Sequence, residues 1–314
     1  MKPRQQLLVW AQMNSFPDDA TDLVVGAVLE PAAACNLRCP FCPTGNGRLK
    51  LGRGTMRGKD FVRALDALGP KLTRVMLYNW GESLLNPAID GMIAECARRG
   101  LETEISSNLS IERFTAARAE ALVRSGLTCL IVSCDGATQA AYERYRVGGD
   151  LSLVLANLRA LLSAKRRLRS KTPAVTWGYH VHKGNAGDLP KARRMAKALG
   201  IPLEVRDLVY PAELEAEWGH GEPSSKKVVP GRLCVQAWTT PVVHSDGTVL
   251  PCCVVDDPKW SLGSALTEPL ASFWNKPLIV AMRRYLRSGE APRTAIPCVG
   301  CPHDPNAPAR PPRL

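Results

Sequence analysis

The sequence predicts an α/β fold, in which a partial (β/α)6 barrel of the TIM type precedes a small C-terminal domain of a hairpin plus a helix. Two observations support this prediction. Short runs of apolar and β-branched residues alternate with longer helical patterns, which is typical of a parallel sheet. After about residue 211 the alternation stops, and a stretch rich in Pro, Gly and Ser leads into a different pattern. The length of 314 residues is sufficient for both parts.

Six apolar runs predict the barrel strands, at residues 24–30, 73–78, 102–107, 128–133, 174–182 and 202–208. Between them, amphipathic patterns predict helices near residues 59–68, 87–99, 111–125, 151–167 and 186–199. Strands joined by right-handed crossovers curl into a partial barrel. In such a barrel the functional residues follow the carboxyl ends of the strands.

The domain organisation predicted from these patterns has four segments. They are an N-terminal extension (1–23), the barrel (24–210), a linker (211–230) and the C-terminal domain (231–314). Within the C-terminal domain, two short apolar runs flank Asp246 and Gly247, which is a strong hairpin signal. A helix is predicted near residues 269–287.

Composition and charge restrict the class of protein. No apolar run approaches the roughly eighteen residues needed to span a bilayer, and the N-terminus lacks the pattern of a secretory leader. We therefore expect a cytoplasmic protein with no membrane partner. The formal net charge of +12 is spread along helical segments, which favours solvated helix faces over a nucleic-acid partner. Eleven cysteines in a reducing compartment indicate metal or redox chemistry.

Three of these cysteines lie close together in the stretch CNLRCPFC. Cys35, Cys39 and Cys42 have the spacing C-x3-C-x2-C and follow the first predicted strand. Thiolates suit iron–sulfur clusters, which normally take four of them. Because no fourth cysteine is near, a cubane held here would leave one iron open to an exogenous ligand, which favours a catalytic role. A zinc loop that lacks one ligand, or unrelated core thiols, are the alternatives.

This motif, with the aromatic Phe41 before its third cysteine, resembles the defining motif of the radical S-adenosylmethionine superfamily. The resemblance covers about residues 24–208. It implies a 4Fe–4S cluster whose open iron binds S-adenosylmethionine, and reductive cleavage of that cosubstrate to a 5′-deoxyadenosyl radical. It also implies an external one-electron reductant such as flavodoxin or ferredoxin.

Polar residues after the second and third strands are similar to the family's cosubstrate contacts. Gly81 and Glu82 resemble the Gly-Glu element that meets the ammonium group of the cosubstrate, although Trp80 stands where many relatives have another glycine. Ser107 and Asn108, after the third strand, are expected by the same resemblance to contact the ribose or the methionyl part.

The segment after the fourth strand is similar to the family's Ser-x-Asp-Gly element followed by an arginine. Ser133 and Asp135 occupy the first positions. Arg146, favoured over Arg144, is expected to bind the methionine carboxylate, for which a guanidinium is chemically suited. Individually these residues are also ordinary turn residues, so their order along the chain is the stronger argument.

A second cysteine set lies in the C-terminal domain and consists of Cys234, Cys252, Cys298 and Cys301. It resembles the twitch tail, a shortened SPASM domain, which holds one auxiliary 4Fe–4S cluster. A zinc ribbon with the same four ligands is the alternative. Cys253 remains beside Cys252 and should point the opposite way on an extended segment. It is a candidate catalytic hydrogen-atom donor, with packing or cluster ligation as alternatives.

The favoured reaction is epimerisation of a sugar carbon in an aminoglycoside-type natural product, with Cys253 as the hydrogen-atom donor, as in a neomycin-type aminoglycoside epimerase of this superfamily. The runner-up is two-electron dehydrogenation of an aminocyclitol or sugar alcohol with help from the auxiliary cluster. Modification of a ribosomal peptide, and a non-enzymatic iron–sulfur protein that binds nucleic acid, are further alternatives. The expected partners are a small-molecule substrate and the external reductant.

Overall fold

The computed structural model of the chain describes residues 17–112, 114–219, 234–301 and 304. Within these residues nine strands form one open sheet. The first six are β1 (Gly26–Leu29), β2 (Arg74–Met76), β3 (Glu102–Ser107), β4 (Cys129–Ser133), β5 (Ala174–Val181) and β6 (Leu203–Asp207). The C-terminal strands are β7 (Val242–Val243), β8 (Thr248–Leu250) and β9 (Gly263–Ser264).

The strand order is β6-β5-β4-β3-β2-β1-β7-β8-β9. The first six strands pair in parallel with their neighbours, which confirms the predicted partial barrel. The hairpin of β7 and β8 continues the same sheet, because β7 pairs in parallel with β1. The C-terminal part of the chain therefore completes the edge of the barrel sheet instead of forming a separate one.

The helices follow the predicted alternation. They are α1 (Gly58–Leu68), α2 (Ile89–Arg98), α3 (Ala116–Arg124), α4 (Gln139–Tyr145), α5 (Leu151–Arg167), α6 (Leu189–Leu199), α7 (Glu215–Trp218), α8 (Gln236–Thr239), α9 (Leu270–Phe273) and α10 (Pro277–Ser288). Helices α4, α7 and α8 were not predicted. The single helix predicted near residues 269–287 is two helices, because Pro277 has no N–H to continue a helix and instead starts α10.

Side chains along β3 alternate between buried and partly exposed positions. On β3, Thr103, Ile105 and Ser107 are buried, whereas Glu104 and Ser106 are partly exposed. Adjacent side chains of a strand point to opposite faces, so the buried set packs under the helices and the other set faces the inside of the barrel. The interior face of the barrel is therefore polar at this strand and open to a ligand.

Where the structure describes them, the predicted linker and the predicted N-terminal extension both contact the rest of the chain. Residues 212–218 form a 3-10 helix (Ala212–Leu214) and α7, and the side chain of Trp218 is buried. In the N-terminal segment, the backbone N–H of Ala20 donates to Asn275 at 3.3 Å. Residues 1–16 and 220–233, the rest of the predicted extension and linker, lie outside the described residues. In the part of the chain that is described, every helix is too short or too polar to cross a membrane.

Candidate active site

The loop after β1 places three thiols around one cavity. Cys35, Cys39 and Cys42 line a cavity of about 120 Å³ at the carboxyl ends of the first four strands. The thiol of Cys42 lies 3.6 Å from the carbonyl oxygen of Trp80. Burial raises the pKa of Cys35 to about 12 and also raises that of Cys39. The three closely spaced cysteines of the sequence thus line one cavity, and thiolates are the ligands that iron–sulfur clusters take.

The loop after β2 forms the adjacent wall of this cavity, with Trp80, Gly81 and Glu82 in its lining. Gly81 approaches the chain after β1 so closely that a Cβ atom there would lie 1.8 Å from the carbonyl oxygen of Ala32. Glu82 is buried, and its carboxylate accepts the backbone N–H groups of Leu84 at 3.1 Å and Asn108 at 2.8 Å. Burial raises the pKa of Glu82. Glu82 therefore ties the ends of β2 and β3 together as well as lining the cavity.

On β3 the lining residue is Ser106, whereas the predicted Ser107 faces away from the cavity. The hydroxyl oxygen of Ser107 accepts the backbone N–H of Leu109 at 3.1 Å. Ser106 and Ser133 line the cavity, and their hydroxyl oxygens are 2.9 Å apart. The strand phase therefore places Ser106, and not Ser107, on the interior face. Asn108 also lines the cavity.

Arg146 reaches the cavity from the end of α4, and Asp135 holds it there. The Nε of Arg146 donates to the Oδ2 of Asp135 at 2.6 Å, and the backbone N–H of His180 donates to the other oxygen at 2.6 Å. The Asp135 side chain is fully buried and is not part of the cavity lining. Burial alone would raise the pKa of Asp135, but the charge of Arg146 holds that pKa well below its usual range. Asp135 thus orients Arg146.

Phe41 lies behind the cavity, in an aromatic cluster. Its ring centroid is 4.9 Å from that of Trp218 and 6.0 Å from that of Tyr145. Tyr145 in turn lines the cavity. Phe41 therefore supports the wall formed by Tyr145, and the described residues place it outside the lining itself.

Several residues of the site were not predicted. Tyr78 and Asn79 line the cavity, and the Tyr78 hydroxyl donates to Glu104 at 2.6 Å. Glu30, at the end of β1, is fully buried and accepts the backbone N–H groups of Trp80 and Gly81 at 2.7 and 2.9 Å. The only sequence signal for Glu30 is a charged residue that ends an otherwise apolar strand, VVGAVLE.

In the C-terminal domain, Cys298 lies within electrostatic reach of the other three predicted cysteines. Burial raises the pKa of Cys298, and the charges of Cys252, Cys234 and Cys301 raise it further. Cys252 and Cys298 are buried. By chemical type, four thiols suit an iron–sulfur cluster or zinc. In the described residues, however, no three His, Cys, Asp or Glu side chains are grouped closely enough to hold a single metal ion, and this includes the four cysteines.

Cys253 occupies a different environment from Cys252. Its thiol donates to the Oε1 of Gln236 at 3.3 Å. When the side-chain amide of Asn79 is oriented to satisfy both of its polar atoms, its nitrogen donates to the carbonyl oxygen of Cys253 at 3.1 Å, so Cys253 lies beside a residue of the cavity wall. Met76 and Trp80 pack against the same apolar cluster as Cys253. Cys253 thus lies where the C-terminal domain meets the cavity wall.

Comparison with known domains assigns two parts of the chain. Residues 29–180 match the Radical SAM superfamily, and residues 234–302 match SPASM, an iron–sulfur cluster-binding domain. Among curated proteins, the chain is 30% identical over 135 residues to the GTP 3′,8-cyclase of Rhodococcus opacus, covering 41% of this chain and 37% of that protein. It is 23% identical over 237 residues to the PqqA peptide cyclase of Granulibacter bethesdensis, covering 74% and 58%. The match thus spans less than two thirds of either relative.

Solved structures share the fold. BtrN in complex with AdoMet and 2-DOIA has a TM-score of 0.53 at 16% identity, covering 85% of this chain and 88% of that chain. SuiB of Streptococcus suis bound to S-adenosylmethionine has a TM-score of 0.66 at 13% identity, covering 94% and 74%. At these identities the likeness concerns the fold alone.

Proposed function

We propose that this chain, which carries a radical S-adenosylmethionine domain followed by a SPASM iron–sulfur domain, inverts the configuration of one carbon in a small polar natural product. The two domains imply 4Fe–4S clusters and S-adenosylmethionine as cofactors. When bound, these groups supply a 5′-deoxyadenosyl radical that removes a hydrogen atom from a substrate carbon. The rest of the reaction depends on residues of the chain.

The residues around the cavity suit the cosubstrate chemically. Cys35, Cys39 and Cys42 would hold the primary cluster, and Cys234, Cys252, Cys298 and Cys301 would hold the auxiliary one. Arg146 presents a guanidinium that Asp135 has already oriented, which suits a carboxylate. The hydroxyls of Ser106 and Ser133 and the amide of Asn108 are neutral donors and acceptors for a ribose.

The position of Cys253 is the observation that carries the proposed epimerisation. Its carbonyl oxygen faces the side-chain amide of Asn79 in the cavity wall, and its thiol donates a hydrogen bond to Gln236. In the proposed step the S–H bond of Cys253 breaks homolytically and a C–H bond forms on the opposite face of the substrate radical. The thiyl radical then takes one electron from an external reductant of the flavodoxin or ferredoxin class and one proton from solvent, which restores the thiol.

An aminoglycoside-type substrate is supported by the polar cavity wall and by the fold shared with BtrN, a structure that contains 2-DOIA. Tyr78 and Asn79 line the cavity with polar side chains that are separate from those assigned above to the cosubstrate. Hydroxyl and amino groups of a sugar pair well with such side chains, because buried polar groups require partners.

The proposal is tested by assaying the wild-type enzyme and a variant that lacks the Cys253 thiol in D2O. Reconstituted enzyme with S-adenosylmethionine, dithionite and neomycin-type aminoglycosides should form 5′-deoxyadenosine and a product with one solvent deuterium at the inverted carbon. In Cys253→Ala we expect the deuterated product to disappear while 5′-deoxyadenosine is still formed. Cys96→Ala, which removes a thiol buried in α2, is the matched control and should behave as the wild type. A ketone product that persists in Cys253→Ala would instead establish dehydrogenation.

A peptide substrate is the second candidate, and specific likenesses favour it. Two PqqA peptide cyclases are among the relatives, at 23% and 24% identity. The fold is shared with SuiB bound to its precursor peptide SuiA, with a TM-score of 0.64 at 14% identity and coverage of 95% of this chain and 73% of that chain. The same 5′-deoxyadenosine assay separates the candidates. Stimulation by a precursor peptide encoded beside the gene, with none by aminoglycosides, would select the peptide.

A further inference from the structure

A buried ion pair joins the C-terminal hairpin to the end of the first barrel strand. The Nδ1 of His244 lies 2.5 Å from the Oε2 of Glu30, and both side chains are fully buried. The two residues follow neighbouring parallel strands, since Leu29 pairs with Val243 and the N–H of Glu30 donates to the carbonyl of Val243 at 2.9 Å. The pair therefore connects segments that are more than 200 positions apart in the sequence.

The contacts of the imidazole fix where its hydrogens are. Its Nε2 lies 2.7 Å from the carbonyl oxygen of Gly52, which can only accept, so Nε2 carries a hydrogen. The short contact between Nδ1 and Glu30 needs a second proton between the two groups. Burial by itself would lower the pKa of His244, whereas the hydrogen bond to Glu30 raises that pKa above the usual value of an imidazole. Both ring nitrogens of His244 are thus hydrogen-bonded, and His244 and Glu30 share a proton.

The other oxygen of Glu30 holds the loop after β2. It accepts the backbone N–H groups of Trp80 and Gly81, while the carbonyl of Trp80 faces the thiol of Cys42. The same loop is packed against Ala32, three positions before Cys35, and a Cβ atom at Gly81 would collide there. The Glu30 carboxylate therefore sets the position of the Gly-Glu loop relative to the cysteine loop.

We propose that His244 and Glu30 are positioning residues, through which the C-terminal hairpin sets the affinity of the barrel cavity for S-adenosylmethionine. The hairpin holds His244, His244 holds the Glu30 carboxylate, and the carboxylate holds two N–H groups of the loop that lines the cavity. Because coupling between two sites is reciprocal, binding of the cosubstrate also stabilises the hairpin. The binding step involves no substrate, so it is tested separately from the proposed epimerisation.

Binding of S-adenosylmethionine to the unreduced, reconstituted full chain tests this by calorimetry. His244→Leu removes both polar contacts, and Glu30→Leu leaves the N–H groups of Trp80 and Gly81 without their acceptor. We expect each to raise the Kd by about tenfold or more, because unpaired buried groups shift the loop. In two conservative variants the Kd for S-adenosylmethionine should stay within about threefold of the wild-type value. Glu30→Gln retains an acceptor for the loop and a donor for His244, and His244→Asn retains an N–H facing Glu30.

Tyr179→Phe is the matched control, because it removes a buried hydrogen bond, from the Tyr179 hydroxyl to the carbonyl of Asn185 at 2.7 Å, on the helix side of β5. It should lower stability without changing the Kd. Wild-type affinity in His244→Leu or Glu30→Leu that retains its iron would overturn the proposal. So would an equal loss of affinity in Tyr179→Phe, since that would indicate general destabilisation.

Hydrogen exchange on the wild-type holoprotein decides the matter if the leucine variants do not fold. Adding S-adenosylmethionine should slow exchange of the backbone N–H groups in residues 242–250 and leave those in the middle of α5 unchanged. An unchanged exchange rate in the hairpin at saturating cosubstrate would rule out the coupling.

Discussion

Asp135 and Arg146 show how a single buried pair decides which charge the cavity presents. The Asp135 side chain is fully buried and that of Arg146 is 14% exposed, so neither charge is well solvated. The two opposite charges compensate each other. Burial alone would raise the pKa of Asp135, but the charge of Arg146 lowers it by more, so the pKa is low. Since this pKa is depressed, the stability from ionised Asp135 is fully present above the ordinary carboxyl pKa and is lost as the pH falls through the lower native value.

We expect Asp135→Ala to lower the free energy of unfolding by about 3 to 5 kcal/mol, because it leaves the guanidinium of Arg146 buried without its carboxylate. Denaturant unfolding of the apoprotein at neutral pH measures this. Adding Arg146→Met should recover part of the loss, since the uncompensated charge is then removed. Asp22→Ala, which breaks the exposed pair with Lys71, is the control and should change stability little. Equal losses in Asp135→Ala and Asp22→Ala would contradict this account.

The residues that the sequence could not place are those whose role depends on strand phase or on distant contacts. Ser106 and Ser107 are adjacent and identical, and only the register of β3 decides which one faces the cavity. Glu30 and His244 each stand at the end of an apolar run, but nothing in either run indicates the other. The two cysteine sets could be proposed from the sequence because the spacing of cysteines is itself a chemical signal.

At the scale of elements, the loop after β2 is held in place at several points. It is fixed by the Glu30 carboxylate and by the hydrogen bond from the Glu82 N–H to the carbonyl of Ala34 at 2.9 Å. A side chain at Gly81 would meet the backbone of Ala32 and Ala33. Because backbone cannot move aside as a flexible side chain does, the loop itself would have to shift.

We therefore expect Gly81→Ala to weaken S-adenosylmethionine binding by at least about tenfold. The added Cβ would overlap the backbone of Ala32, and relieving that overlap would displace the loop from the cavity wall. Calorimetric titration of the reconstituted variant measures the Kd. Gly54→Ala is the matched control, because no atom lies within 4 Å of a Cβ at that position. It should bind as the wild type does. Equal affinities in the two variants would show that the loop tolerates the side chain.

The alternation of apolar and helical patterns predicted the strands and helices of the barrel, because each depends on local periodicity. Helix α4 was missed, since its seven residues, Gln139–Tyr145, are too few for a clear pattern. The hydroxyl of its N-cap Thr138 accepts the N–H of Ala141 at 3.4 Å. The carboxylate of Asp188, just before α6, accepts the N–H of Thr138 at 2.7 Å. Such a helix depends on tertiary contacts more than on its own sequence.

At the scale of the whole molecule, the barrel and the C-terminal domain share one sheet. The pairing of β1 with β7 could not be predicted, because a two-residue strand gives no register and the partners are more than 200 positions apart. The shared sheet brings Cys253 to the cavity wall and places His244 beside Glu30. The C-terminal domain thus contacts residues of the cavity wall. Changes to the metal centre of the C-terminal domain should leave the primary centre able to bind metal, but they should alter the protein around that primary centre.

Iron content tests this arrangement of two centres in one molecule. Anaerobic reconstitution of the full chain should give about eight irons and eight sulfides, because each four-iron cubane takes one cysteine set. Cys298→Ser with Cys301→Ser removes two of the four C-terminal thiols and should leave about four irons, held by Cys35, Cys39 and Cys42. Cys96→Ala, which removes a buried thiol of α2 outside both sets, should retain all eight. About four irons together with one zinc in the wild-type chain, with the zinc lost in the double variant, would make the C-terminal centre a zinc site, because four thiolates also satisfy tetrahedral zinc.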